Sequence, residues 1–117
     1  MTAFASQTQS AIDFAADLLR QAKHAVSLTG AGLSTPSGIP DFRSTGTGLW
    51  SRDEPMEVAS LSTFRTTPKR FFEWFRPLAS QIFYAQPNSA HLALAGLEKA
   101  GRIRSIITQN IDMLHQK

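Results

Sequence analysis

The sequence predicts an α/β fold with a parallel sheet. Two short apolar runs have the composition of buried strands, an amphipathic segment precedes the first run, and helical segments separate the two. Such an alternation of helix and strand is typical of sheets with parallel strands. The 117 residues, of which 42% are hydrophobic, also match one globular domain in size and composition.

The first helix and the first strand follow one another directly. Apolar residues recur at helical spacing over residues 8–24, with charged residues mostly on the opposite face. The apolar run Ala25–Thr29 then fits a buried strand, which Gly30-Ala31-Gly32 ends. Residues 38–63 lack periodicity, so they predict a long loop with one short helix near residues 56–60. Long loops in compact domains tend to be functional.

Proline, asparagine and glycine mark the ends of the next two helices. Thr67-Pro68 predicts a helix start, with the threonine as N-cap and the proline at the first helical position. Pro77 should bend or interrupt that helix. Pro87-Asn88 predicts the start of another helix, which Gly101 ends.

The composition excludes several classes of function. The net charge is +3, and the 12 Lys and Arg residues are scattered, which argues against a nucleic-acid partner. No apolar run approaches the ~20 residues of a membrane span, and the N-terminus lacks the pattern of a secretory signal. The absence of cysteine removes disulfides and cysteine-ligated metals. We expect a cytoplasmic protein with no membrane partner.

The first candidate site is the glycine turn after the first strand. A strand that ends in Gly30-Ala31-Gly32 and opens a helix can bring main-chain N–H groups against a pyrophosphate. The match to Gly-x-Gly-x-x-Gly is incomplete, because Thr35 stands at the third glycine and Asp53, the acidic residue at the expected spacing, lies in the loop. From these residues alone, a structural turn and a nucleotide site are equally favoured.

The second candidate is Asp41-Phe42-Arg43, which places a carboxylate, an aromatic ring and a guanidinium in succession. Arginine binds phosphate through two parallel hydrogen bonds, and the ring can cover a flat ligand. The same residues also fit a loop held by a local ion pair and a buried phenylalanine. Both interpretations remain open from the residues alone.

The third candidate follows the second predicted strand, residues 103–108, at the sheet edge where open α/β folds bind ligands. Residues 109–115 predict a polar turn that enters a new helix. Gln109 and Asn110 offer donors and acceptors for ribose hydroxyls. Asp112 and His115 are neighbours if this segment is helical, and His115 is a candidate base. The other two histidines, His24 and His91, are interpreted as surface or packing residues.

Together these clusters resemble the NAD-dependent protein deacylases called sirtuins, the Sir2 family. The resemblance covers nearly the whole chain from about residue 10. The matching motifs are Thr29–Ser44, Gly48-Leu49-Trp50, Pro87-Asn88 with Ala90-His91, and Thr108–Asp112 with Leu114-His115.

The resemblance implies a Rossmann-like, NAD-binding fold with a doubly wound parallel sheet. It also implies transfer of an acyl group from lysine to ADP-ribose, with release of nicotinamide. His115 matches the base that activates a ribose hydroxyl. Phe42 matches the residue near the scissile glycosidic bond. The residues implied in cofactor binding are Gly30, Ala31, Gly32, Asp41, Phe42, Arg43, Gln109, Asn110, Ile111 and Asp112, where Gln109 and Asn110 match ribose contacts and Ile111 and Asp112 the nicotinamide pocket.

The implied partners are acetyl-lysine proteins or peptides. The desuccinylase branch carries a Tyr-x-x-Arg pair, whereas the only tyrosine here, Tyr84, is followed three residues later by Pro87. The helix after Pro68 instead offers Phe71, Phe72, Phe75 and Leu78. We therefore expect a neutral acyl group, acetyl first. The alternatives are an NAD-dependent protein mono-ADP-ribosyltransferase and a non-catalytic NAD-binding fragment.

The sirtuin architecture that this sequence resembles is longer. It continues after the histidine with a zinc module held by cysteines. This sequence has no cysteine and ends at Lys117. We expect residues 1–117 to be a partial Rossmann-type catalytic domain with its cofactor-binding loop at about residues 38–63, lacking the zinc module and inactive alone.

Overall fold

The computed structural model describes residues 2–46, 48–51 and 53–117. These residues contain five α-helices, two β-strands and two 3₁₀ helices. No helix in these ranges is both long enough and apolar enough to cross a bilayer. In chain order the elements are α1 (Thr2–Gln21), β1 (Ser27–Thr29), a 3₁₀ helix (Ala31–Ser37), a second 3₁₀ helix (Leu49–Ser51), α2 (Pro55–Val58), α3 (Leu61–Thr66), α4 (Pro68–Tyr84), α5 (Ser89–Lys99) and β2 (Ile106–Thr108).

The two strands pair in parallel, which confirms the predicted fold class. Thr29 lies opposite Thr108, and the pairing continues beyond them because Gln109 N donates to Thr29 O at 3.2 Å. Each strand has three residues, fewer than the apolar run that predicted it. Because the strands are parallel, the segments that follow them leave the sheet at the same edge.

Helix α1 begins earlier and ends earlier than predicted. It spans Thr2–Gln21 in place of residues 8–24. The extension is possible because residues 2–8 contain no glycine or proline that would interrupt a helix. Ile12, Phe14 and Leu18 on this helix are exposed.

The segment predicted as a long loop contains more helix than expected. Helix α2 matches the predicted short helix, but α3 was not predicted. The N-cap of α3 is Ser60, whose Oγ accepts from Thr63 N at 3.0 Å and so satisfies a free N–H of the first turn. The hydroxyl of Thr63 also donates to Met56 O at 3.1 Å, which ties α3 to α2.

Helix α4 starts at Pro68, as predicted, but Thr67 does not cap it through its side chain. The Thr67 hydroxyl donates instead to Thr63 O at 3.3 Å, at the end of α3. The helix continues through Pro77 to its last residue, so of the two predicted effects, a bend or an interruption, the interruption is wrong. A proline removes only one N–H donor from the ladder, and Leu78 packs against the core in the same turn.

Helix α5 has both predicted ends. Asn88 Oδ1 accepts from Ala90 N at 2.9 Å, and Asn88 N donates to His91 Nδ1 at 3.3 Å, which forms a capping box. Gly101 follows the helix with φ 69°, the left-handed conformation that glycine adopts without strain.

The main core cluster lies where the loop, α4 and the C-terminal segment meet. It consists of Ile39, Ala85 and Leu114, with Leu78 and Ile82 packed against them. This cluster lies directly beside the carboxyl edge of the sheet and supports the residues that follow β1 and β2.

Residues 109–115 form the predicted polar turn, but no helix follows it within the described residues. Asp112 Oδ1 accepts from Leu114 N at 3.0 Å, and Met113 has φ 61°. A carboxylate that bonds the main chain two residues on forms a side-chain turn, which competes with helix formation. The segment therefore stays extended up to a turn at residues 114–116.

Candidate functional site

The three predicted clusters meet at the carboxyl edge of the sheet. The glycine turn follows β1 and residues 109–115 follow β2, so the parallel pairing brings them side by side. The loop of residues 41–43 lies beside them and lines the same two cavities. Ligands of open α/β sheets bind at this position.

At the glycine turn, Gly30 is the residue that has no room for a side chain. A Cβ built there would lie 2.8 Å from Gln109 Nε2, whereas one at Gly32 would meet nothing within 4 Å. The 3₁₀ helix that follows ends at Gly38, which has φ 85°. Thr35, at the third glycine position of the motif, lies inside this helix and donates its hydroxyl to Gly32 O at 3.0 Å.

Asn88 connects the 3₁₀ helix to the start of α5. Its Nδ2 donates to Leu33 O at 2.8 Å and to Ser37 Oγ at 3.0 Å. The sequence indicated Asn88 only as a helix cap. The same side chain also fixes the turn that follows β1.

The Asp41-Phe42-Arg43 loop is held by hydrogen bonds. The Asp41 carboxylate accepts from Ser44 N at 3.1 Å and from Ser44 Oγ at 2.5 Å. No ion pair between Asp41 and Arg43 occurs among the described residues, so the local ion-pair interpretation is wrong. Gly48 allows the loop to close tightly, since a Cβ there would lie 2.6 Å from Ser44 N.

Two cavities open at this edge. The larger has a volume of about 530 Å³ and is lined by Gly30, Ala31, Gly32, Leu33, Asp41, Phe42, Arg43, Gln109 and Asn110. The smaller is an inner pocket of about 90 Å³, lined by Ala31, Ser34, Ile39, Pro40, Phe42, Leu49, Leu78, Ile82 and residues 109–112. Ala31, Phe42, Gln109 and Asn110 line both cavities, and every predicted cofactor residue lines one cavity or both.

A buried hydrogen-bond network forms the polar end of the inner pocket. Ser34 is fully buried, and its hydroxyl donates to Asp112 Oδ2 at 2.6 Å. Asn110 Nδ2 donates to Gly30 O at 3.0 Å and to Ser34 Oγ at 3.2 Å. No sequence pattern predicts a role for Ser34 itself, although it lies within the matched block. Its burial in a polar turn becomes visible only in the structure.

His115 lies at the same edge but does not pair with Asp112. Its Nε2 is 2.9 Å from Thr29 Oγ1, and its ring centroid is 4.9 Å from that of His91. The predicted Asp112–His115 contact depended on a helix that does not form. Asp112 instead bonds Ser34 and Leu114.

His91 is a packing residue, one of the two interpretations that the sequence allowed, and it packs within the candidate site against His115. It is 3% exposed, its Nδ1 accepts from Asn88 N, and its Nε2 has no hydrogen-bond partner in the described part of the chain. Burial, and then the neighbouring His115, lower the pKa of His91 below 6.5, while Asp112 opposes them. His24 is exposed after α1, as predicted.

Comparison with known families shows which family this chain belongs to. A model described as "Sir2 family" matches residues 30–117, which is more than half of the chain. The chain belongs to the Sir2 family. Its sirtuin relatives include "NAD-dependent protein deacylase 2" of Archaeoglobus fulgidus, 50% identical over 103 residues, and "NAD-dependent protein deacetylase" of Sulfurisphaera tokodaii, 53% identical over 104 residues.

Solved sirtuin structures show the same fold. One, from "Structural Basis for the Mechanism and Regulation of Sir2 Enzymes", has a TM-score of 0.79 at 50% identity and covers 87% of this chain and 40% of that one. Another, "Sir2 bound to acetylated peptide", has a TM-score of 0.73 at 40% identity and covers 90% of this chain and 40% of that one. These similarities confirm the Rossmann-like sirtuin fold.

This sirtuin chain is short beside its relatives. The matches cover 88% and 89% of the chain but only 40% and 41% of the A. fulgidus and S. tokodaii proteins. The described residues contain no group of three or more histidine, aspartate or glutamate side chains placed to bind a metal. No zinc chemistry is therefore assigned to them.

Proposed function

We propose that this chain provides the NAD-binding and general-base part of an NAD-dependent protein lysine deacetylase. The overall reaction transfers the acyl group from lysine to ADP-ribose and releases nicotinamide. One observation supports this most strongly: the glycine turn, the residue 41–43 loop and residues 109–112 line two adjoining cavities at one sheet edge, and His115 lies at the same edge against Thr29.

The larger cavity fits the phosphates and riboses of NAD, which would supply the ADP-ribosyl group. Gly30 leaves the main chain bare where a Cβ would displace Gln109, so main-chain groups can approach a pyrophosphate closely. Arg43 lines the same cavity and offers a guanidinium to phosphate oxygens. The amides of Gln109 and Asn110 offer donors and acceptors to ribose hydroxyls.

The inner pocket fits a small flat amide such as nicotinamide. Its walls are mostly apolar, with Phe42 and Ile111 among them, and Asp112 and Asn110 supply polar atoms. Asp112 is held in place by Ser34 and Leu114 N, so its remaining acceptor capacity has a fixed direction. Phe42 lines both cavities and would help to exclude water from the reacting carbon when the ligand is bound.

His115 is proposed as the base that accepts a proton from a ribose hydroxyl. An imidazole near neutral pH performs this role when it lies within hydrogen-bond reach of the hydroxyl. To test this, we would express the protein from its complete coding sequence and compare it with His115→Gln. We expect the variant to bind NAD with unchanged affinity and to lose acyl transfer by about two orders of magnitude or more. An unchanged rate of acyl transfer would show that His115 is not the base.

The acyl group is proposed to be neutral, acetyl first. Solved relatives are described as bound to acetylated and to propionylated peptides. Tyr84 is not followed by an arginine three residues on, so the Tyr-x-x-Arg pair of the desuccinylase branch is missing from this sequence. Of the apolar α4 residues predicted to favour this, only Leu78 lines the inner pocket, whereas Phe71, Phe72 and Phe75 pack into one aromatic cluster with Phe64.

Substrate and product analysis tests this assignment. With NAD present, the complete protein should deacylate acetyl-lysine peptides and turn over succinyl-lysine peptides far more slowly; comparable rates would contradict the neutral-acyl proposal. Release of free acyl-ADP-ribose supports the deacetylase. ADP-ribose attached to protein would favour a mono-ADP-ribosyltransferase instead, and NAD binding without turnover would favour a non-catalytic binding domain.

A further inference from the structure

The hydroxyl of Thr29 lies directly against the proposed base. Thr29 is the last residue of β1 and is 7% exposed, and its Oγ1 is 2.9 Å from His115 Nε2. The two residues are separated by 86 positions in the sequence, so the contact exists only because β1 and β2 are paired. Nothing in the sequence distinguished this threonine from its neighbours in the matched block.

The imidazole of His115 is fixed on two sides. Thr29 holds one ring nitrogen, and the ring of His91 packs at a centroid distance of 4.9 Å. His91 is itself held, because it is 3% exposed and its Nδ1 accepts from Asn88 N in the capping box of α5. The titratable groups that act on His91 are His115 and Asp112.

Threonine suits this position for two reasons. Its main chain is fixed by the pairing with Thr108 and its β-branched side chain has few rotamers, so the hydroxyl has a defined direction. A hydroxyl can also donate to a bare imidazole nitrogen or accept from a protonated one by rotating its O–H. The ring therefore keeps its partner, and its orientation, in either protonation state.

We propose that Thr29 is a positioning residue that orients His115 for catalysis. The proposal rests on the proposed function, because it assumes that His115 is the base. A displacement of about 1 Å at a reacting group can cost about a hundredfold in rate, so losing one of two ring contacts should have a measurable effect.

The test compares Thr29→Val, which keeps the shape and removes the hydroxyl, with Thr29→Ser, which restores it. Both are made in the protein expressed from its complete coding sequence. We expect Thr29→Val to lower kcat for acyl transfer about tenfold while KM for NAD changes less than about twofold, and Thr29→Ser to recover most of kcat. Thr66→Val is the matched control, because its hydroxyl donates only to Ser62 O on exposed α3.

A second readout does not depend on activity. The ¹⁵N signals of the His115 ring should shift in Thr29→Val and return toward the wild-type values in Thr29→Ser. If Thr29→Val is poorly folded, Thr29→Ala provides the same comparison. Unchanged kcat and ring signals in a folded hydroxyl-free variant would overturn the proposal. Absence of acyl transfer in the wild type would refute the proposed function, while the ring signals would still report whether the contact exists.

Discussion

At the scale of single residues, His91 joins α5 to the proposed base. Burial and the neighbouring His115 lower its pKa below 6.5, so between its folded and unfolded pKa values the unfolded chain binds more protons. The stability contribution of neutral His91 is therefore complete above about pH 6.5 and is lost as the pH falls through the folded pKa.

The free energy of unfolding of the complete protein should thus fall more steeply from pH 7.5 to pH 5 in the wild type than in His91→Gln. Glutamine keeps an acceptor for Asn88 N but does not titrate. Urea unfolding at several pH values measures the difference, with His24→Gln as the exposed control. Equal slopes in the wild type and His91→Gln would show that His91 does not titrate on unfolding.

Gly30 is the residue at which a single methyl group should affect cofactor binding. In Gly30→Ala the new Cβ would lie 2.8 Å from Gln109 Nε2, so the glutamine side chain has to move away from the position in which we propose that it contacts ribose. We expect NAD affinity, measured by calorimetry, to fall by about tenfold, since one lost or displaced polar contact costs roughly 1–1.5 kcal/mol.

Gly96→Ala provides the matched control. A Cβ at Gly96 meets nothing within 4 Å, and the residue lies inside α5. This variant should bind NAD normally and be more stable by roughly 0.5–1 kcal/mol, because alanine loses less conformational freedom in a helix than glycine does. Equal NAD affinity in both variants would contradict the role given to Gly30.

At the scale of elements, the link between α5 and the 3₁₀ helix is made by Asn88. Asn88→Ala removes the cap bond to Ala90 N and both bonds to the 3₁₀ helix. We expect a loss of about 1–2 kcal/mol in stability from the cap, together with weaker NAD binding because the turn after β1 loosens. Denaturant unfolding and calorimetry measure the two effects.

Asn88→Asp separates these two roles. The carboxylate still accepts from Ala90 N, but it cannot donate to Leu33 O or Ser37 Oγ. Stability should therefore recover more than NAD affinity does. If both recover together, the helix cap alone explains the effect of Asn88 on the site.

The ends of several elements were predictable because local chemistry sets them. Pro68, Asn88 and Gly101 lie at the helix ends that their residue types favour. Helix α3 was missed because its N-cap, Ser60, lies in a segment without sustained apolar periodicity. Pro77 did not break α4, because packing of that helix on the core outweighs one missing donor.

At the scale of the whole molecule, one face of the sheet and much of α1 carry exposed apolar side chains. Leu28 is 74% exposed and Ile107 is 53% exposed on the paired strands, and Phe14 and Leu18 are exposed on α1. Large apolar patches are unusual on independently stable domains. The relatives are longer proteins, of which this chain matches about 40%.

Residues 1–117 expressed alone should therefore be poorly folded and inactive. We expect strong binding of an apolar fluorescent dye and a broad thermal transition, in contrast to the protein expressed from its complete coding sequence. A sharp, cooperative melt together with NAD-dependent deacetylation by the 117-residue chain would contradict this prediction.

The sequence by itself determined the fold class, the start of α4, both ends of α5 and the residues that line the two cavities, because helix periodicity, capping and the glycine-rich block are local in the chain. Only the tertiary structure decided which of these residues meet. The bonds from Ser34 to Asp112 and from Thr29 to His115 join positions 78 and 86 residues apart. Such contacts depend on the parallel pairing of β1 with β2, and no local pattern specifies which side chains that pairing places within hydrogen-bond distance.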